Sequence, residues 1–138
     1  MPVEVASIIG RFYAMDRDNR WARIQKAYDL LVKGAGETST NPVAAIQASY
    51  DNDVFDEFIA PVSIPNAQGE KQTIQAGDVV IFYNFRTDRP RQITQALMQK
   101  DMPEFGMKKL DTNFVTMTRY DDSFEGIDVI YEKGIVPN

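Results

Sequence analysis

The side chains in this sequence best suited to hold a ligand are its arginines, and they are unevenly placed. Of the eight, Arg11, Arg17, Arg20 and Arg23 fall in one passage and Arg86, Arg89 and Arg91 in a second, leaving only Arg119 elsewhere. A guanidinium fork can donate two parallel hydrogen bonds to a phosphate or carboxylate, which lysine cannot. Both passages read as strand-to-helix turns. A cation beside a helix N-terminus is unfavourable by roughly 0.3–1 kcal/mol. Arg17 and Arg89 at such ends therefore make sense if an anion lies between guanidinium groups and helix amides. The expectation is one anion-holding site made by Arg11, Arg17, Arg86 and Arg89, at the carboxyl edge of a parallel sheet. Surface ion pairs with Asp16, Asp18 and Asp88 are the competing reading, and such pairs contribute little. Pattern alone leaves the two open. Arg20, Arg23 and Arg91 are expected to be solvated helix residues.

Most other chemistry is excluded by composition. Cysteine and histidine are both absent, so the chain has no disulfide, no thiol nucleophile and no imidazole base or metal ligand of its own. A net charge of −5 argues against nucleic acid as a partner. No apolar run approaches the ~20 residues needed to span a bilayer, and the start lacks the pattern of a signal peptide. A cytoplasmic protein with no membrane partner is expected. Asp16-Arg-Asp18-Asn19 hints at a calcium loop but has Trp21 and Ala27 where glycine and glutamate are needed. Gly34-Ala-Gly36 follows a helix and lacks the remaining residues of a phosphate loop. Asp121-Asp122 reads as a turn; Trp21, Met107 and Met117 read as core.

The elements that must position the arginines can be read from periodicity. Residues 3–12 look like a strand. Asp16 or Asp18 would cap a helix over about 19–33, with Trp21, Ile24, Tyr28 and Leu31 on one face and Gly34 and Gly36 at its end. Asn41-Pro42 opens a second helix to about residue 50. Residues 62–64 and 72–74 suggest a small hairpin. The continuous apolar run at 78–85 is expected to be a strand buried on both faces. Asp88 and Pro90 start a helix with Ile93, Ala96 and Leu97 inward, and strands follow at 114–118 and 129–131. Alternating strands and helices predict an α/β layered domain, a largely parallel sheet flanked by helices.

Two long segments carry a family resemblance. Gly10-Arg-Phe-Tyr-Ala-Met-Asp-Arg-Asp-Asn-Arg-Trp21 and Phe82-Tyr-Asn-Phe-Arg-Thr-Asp-Arg-Pro-Arg-Gln92 resemble the cofactor-independent phosphoglycerate mutases. Asp56-Glu-Phe-Ile-Ala-Pro61 and Thr116-Met-Thr-Arg-Tyr120 are similar to the same enzymes. The resemblance implies the later part of the domain that grips phosphoglycerate, inserted into a phosphatase-like domain with the serine nucleophile and two divalent metal ions, usually manganese. It matches Arg11 and Arg17 to two substrate-contacting arginines, and Arg86 and Arg89 to the pair in Asn-Phe-Arg-x-Asp-Arg. No serine-nucleophile motif, metal-binding His/Asp set or Asp-Gly-Arg-Asp segment is present.

The expectation is therefore a single partial domain over 1–138, inactive alone, with no cofactor of its own. Its partners would be phosphoglycerate and the missing phosphatase-like domain. The apolar start, and an end at 127–138 without a capping element, also suit an excised piece. An opened sheet edge would favour a homodimer. The competing function is a free-standing, non-catalytic anion-binding or interaction module that reuses the same fold.

Overall fold

The computed structural model describes residues 3–131. Residues 132–138, where the uncapped end was expected, lie outside the described residues. In chain order the elements are β1 (Ser7–Ile8), α1 (Arg11–Ala14), α2 (Trp21–Lys33), β2 (Glu37–Thr38), α3 (Pro42–Asp51), β3 (Val62–Ser63), β4 (Val79–Phe82), α4 (Pro90–Thr94), β5 (Asn113–Thr118) and β6 (Ile127–Tyr131). A 3-10 turn at Asp56–Phe58 precedes β3, and α4 runs into a π-helical stretch, Gln95–Gln99. A second 3-10 turn, Pro103–Phe105, leads toward β5. None of these helices is long and apolar enough to cross a membrane.

The α/β architecture holds, divided between two sheets. The order β4-β5-β6 makes one wholly parallel sheet, with Phe114 beside Val80 on one flank and Ile127 on the other. A smaller mixed sheet has β3 in the middle, antiparallel to β1 and parallel to β2. The core lies where Ile24, Ala27 and Tyr28 of α2 meet Ile93, Ala96 and Leu97, closed below by Met102, Met107 and Phe114. The three-and-four spacing of the α2 residues produces that buried stripe. Gly34, in the left-handed region at φ 69°, ends α2 and returns its N–H to Leu30. The Asn41 side chain accepts hydrogen bonds from the Val43 and Ala44 amides at 2.9 and 3.1 Å, and Pro42 follows as the first helical residue.

Three sequence expectations fail for physical reasons. The first strand is only two residues long, because Gly10 is drawn against the backbone of residues 57–59 and its carbonyl starts a helical turn, accepting from Tyr13 and Ala14. The hairpin does not form. The turn Asn66–Gly69 exists, but β3 pairs with β1 and β2, and the Ile74 amide bonds instead to the Leu31 carbonyl. The apolar run of β4 is covered on one face only: Val80 and Phe82 pack on the core, while Val79 and Ile81 are 67% and 61% exposed.

These burial differences predict opposite mutational costs on one sheet. Phe114→Ala, at a residue 2% exposed, should destabilise by about 3–5 kcal/mol. Ile81→Thr on the outer face should stay within about 0.5 kcal/mol. Urea unfolding of both variants measures the contrast.

Candidate anion-binding site

The four segments that carried the resemblance fold onto one another. Gly10 donates its amide to the Ile59 carbonyl at 2.8 Å. A Cβ at position 10 would stand 2.2 Å from the Glu57 carbonyl oxygen, so only glycine allows this approach. The contact sets Arg11 beside Glu57, with Nε 3.1 Å from Oε2, and Phe12 against Phe58 with ring centroids 5.1 Å apart.

Past α1 the chain turns through Met15–Arg20, and the buried carboxylate of Asp16 organises that turn. Asp16 Oδ2 accepts the amides of Asp18 and Arg20 at 3.2 and 2.8 Å, while Oδ1 lies 3.6 Å from the Arg23 guanidinium. The expected capping of α2 by Asp16 or Asp18 is not met: its N-cap is Arg20, with no side-chain cap bond, and Asp16 bonds the amides of the loop just before the helix instead. Arg23 departs from the expected solvated role: its guanidinium lies 3.7 Å from the Phe12 ring centroid, a cation–π contact.

The second arginine passage leaves the carboxyl end of β4 and meets the first directly. Arg17 Nη1 donates to Asp88 Oδ2 at 2.7 Å, and Arg86 Nε lies 3.8 Å from Asp88 Oδ1. Arg89 Nη1 donates to the Met15 carbonyl at 3.3 Å. The Asn19 amide donates to Gln92 Oε1, and Gln92 Nε2 donates back to Asn19 Oδ1, both at 3.1 Å. Asn19 stands at φ 59°, in the left-handed region that asparagine tolerates better than most residues. Below the turn, Tyr120 donates its hydroxyl to the Asn84 carbonyl at 2.7 Å, and Thr118 Oγ1 donates to the Phe85 carbonyl at 2.9 Å. Arg91, also expected to be solvated, donates Nε to the Tyr120 carbonyl at 3.0 Å. Burial pushes the Tyr120 hydroxyl up to about 12, which keeps it a neutral donor.

The structure therefore gathers Arg17, Arg86 and Arg89 around Asp88 and the Met15 carbonyl, whereas Arg11 makes its ion pair with Glu57. The expectation that both turns lie at the edge of one parallel sheet is corrected. Residues 86–89 follow a parallel strand, but β1 is antiparallel and belongs to the other sheet. Arg17 sits in a loop, not at a helix start, and Asp88 turns to Arg17 instead of capping α4. Glu57, Gln92 and Asn19 were missed as positioning groups. The only sequence signal for them was their place inside the resembling segments.

The family model for the BPG-independent PGAM N-terminus (iPGM_N) matches residues 1–122. The chain belongs to this family. It is 53% identical over 133 residues to a 2,3-bisphosphoglycerate-independent phosphoglycerate mutase of Flavobacterium johnsoniae, covering 96% of this chain and 26% of that protein. The mutase of the same name from Bacteroides thetaiotaomicron is 51% identical over 136 residues, with 98% and 26% covered. Among solved structures, a Leishmania mexicana phosphoglycerate mutase, crystallised at low cobalt concentration, aligns with a TM-score of 0.77 and 28% identity. That alignment covers 86% of this chain and 23% of the Leishmania chain. The chain spans about a quarter of the length of the curated mutases it matches.

The Asp88 carboxyl is held below the usual aspartate value of 3.8, chiefly by the Arg17 hydrogen bond, with the Arg89 amide and the Arg86 charge acting in the same sense and desolvation opposing them. A lowered folded value means that the unfolded chain binds the proton more readily. The contribution of the pair to stability is thus complete above the unfolded value and is lost as pH falls through the lowered folded one. In an NMR titration the Asp88 side-chain carbon should show a midpoint below 3.8, and Arg17→Gln should move that midpoint upward. A second outcome concerns the glycine: Gly10→Ala should cost about 1–3 kcal/mol in thermal or urea unfolding, because backbone must move to admit the methyl group.

Proposed function

We propose that this chain is the substrate-gripping part of a 2,3-bisphosphoglycerate-independent phosphoglycerate mutase. In this reading Arg11, Arg17, Arg86 and Arg89 bind the phosphoglycerate anion. The observation that carries it is the meeting of the two arginine turns, with Arg17 and Arg86 on opposite oxygens of one carboxylate. Guanidinium groups brought this close share one carboxylate and keep further N–H donors, which a phosphoglycerate oxygen would accept. Membership of the mutase family, and about 50% identity to mutases along nearly the whole chain, support this over a free-standing module on the same fold.

The role assigned to the domain is positional. Interconversion of 3- and 2-phosphoglycerate through a phosphoserine requires that the glycerate be held and reoriented between two phosphoryl transfers. Fixed guanidinium groups restrict its motion and neutralise charge as the phosphoryl group moves. Domain closure would bring this grip against the nucleophile. A pair of divalent metal ions, manganese in the reading from resemblance, would supply electrostatic stabilisation of the transferring group. The residues of this chain do not fit such a site: histidine and cysteine are absent, and the described residues contain no group of three or more Asp or Glu side chains able to hold a metal. The transfer itself would belong to the part of the longer relatives that this chain does not cover.

Titration of the 15N-labelled chain with 3-phosphoglycerate should shift amides in residues 11–17 and 86–90. Arg86→Ala combined with Arg89→Ala should abolish those shifts. Perturbations scattered over other surfaces, or unchanged in the double variant, would overturn the assignment. The purified chain should show no mutase turnover, with or without added manganese.

A further inference from the structure

The resembling segments account for four arginines but leave unexplained how side chains from turns 71 residues apart, on long flexible stems, come to face one ligand. Asp88 is the group that touches both turns. Its Oδ2 accepts from Arg17 Nη1 at 2.7 Å and its Oδ1 faces Arg86 Nε at 3.8 Å, so the two carboxylate oxygens are divided between the two passages. Its backbone is fixed immediately before Arg89, whose guanidinium reaches back to the Met15 carbonyl. Behind it, the reciprocal Asn19–Gln92 amide pair anchors the same two turns independently of charge.

We infer that Asp88 is a positioning residue for the phosphoglycerate grip: it holds the Arg17 and Arg86 guanidinium groups together, pointed at one anion, before the anion arrives. The inference rests on the proposed function, and it deepens that reading by naming what arranges the arginines.

Two opposing effects decide the sign. A negative side chain near the site repels an incoming anion, so its removal could tighten binding. The Arg17, Arg86 and Asp88 side chains are 47%, 75% and 36% exposed, and water and salt screen that repulsion. Loss of the carboxylate, by contrast, breaks the 2.7 Å hydrogen bond that holds Arg17 and the looser pair at Arg86, and the ligand must then order side chains among the richest in rotamers. Preorganisation outweighs repulsion here, so neutralising Asp88 weakens binding. The Arg17 hydrogen bond holds the Asp88 carboxyl below its usual value, so its charge is present throughout the neutral range.

The test is a double-mutant cycle read with 3-phosphoglycerate as the probe. Asp88→Asn, nearly isosteric and on the surface, should weaken binding on the order of fivefold, and in an Arg17→Gln background it should have little further effect. Binding by Asp88→Asn as tight as that of the unaltered chain, or tighter, overturns the inference. So does an equal loss in both backgrounds, which would show that Asp88 does not act through Arg17. A second readout follows rotation of the arginine side-chain N–H groups by NMR without ligand. It should be slowed at Arg17 in the unaltered chain and released by Asp88→Asn; equal rotation in the two proteins overturns the positioning role. If the unaltered chain binds no 3-phosphoglycerate, the grip reading fails, and the rotation measurement alone decides the role of Asp88.

Discussion

The arrangement of this site depends on a pair of amides. Asn19 and Gln92 exchange hydrogen bonds in both directions, backbone amide to side-chain oxygen and side-chain nitrogen to side-chain oxygen, across 73 residues of sequence. Gln92 is almost fully buried, and a buried amide left without partners costs more than the bond itself contributes. That asymmetry makes the pairing obligatory. The loop must reach Gln92, Asn19 must adopt its left-handed backbone to do so, and Arg17 is thereby carried to Asp88. The charges can be partly exposed and individually weak because a neutral pair, buried at its Gln92 side, holds the turns in place.

Beneath that pair the fold supplies rigidity in layers. Tyr120 and Thr118, at the end of β5, fasten the carbonyls of Asn84 and Phe85 as the chain leaves β4, so the second turn rests on the central strand of the parallel sheet. The first turn rests on α2 through the Asp16 carboxylate and on residues 57–59 through Gly10. An acidic chain with a net charge of −5 thus assembles a local arginine surplus. Much of that surplus is already compensated by Glu57, Asp88 and Asp16 at defined atoms.

What was legible in the sequence was local. The Asn41-Pro42 start of α3, the Gly34 end of α2 and the α2 core stripe all depend on residues within a few positions of each other, and all appear as read. What was not legible depended on partners far along the chain. The apolar run of β4 carries no mark of whether one face or two will be covered. The turn at Asn66–Gly69 was correctly sensed, but its flanks found other strands and the Leu31 carbonyl. Of the site, the arginines stood out by type and clustering. Asn19, Gln92 and Glu57 did not, since an amide or carboxylate becomes a positioning group only through what it meets. Of the two readings of the arginines posed from pattern, the ion pairs with Asp88 are present at Arg17 and Arg86, and the ligand role is the proposal made above.

The separation between the two turns also bears on how the protein is made. A chain emerging from the ribosome presents Arg17 and Asn19 some 70 residues before Asp88 and Gln92 exist to receive them. During that interval the first turn has Asp16 and, later, residues 57–59, but not its partners in the second turn. Closing such a loop is entropically slow, and contacts of this range form late relative to a helix such as α2. The meeting of the two arginine turns is therefore among the later contacts of the described residues to form. By the same logic the two turns have all their described fastenings only on a chain whose synthesis has passed β5 and Tyr120.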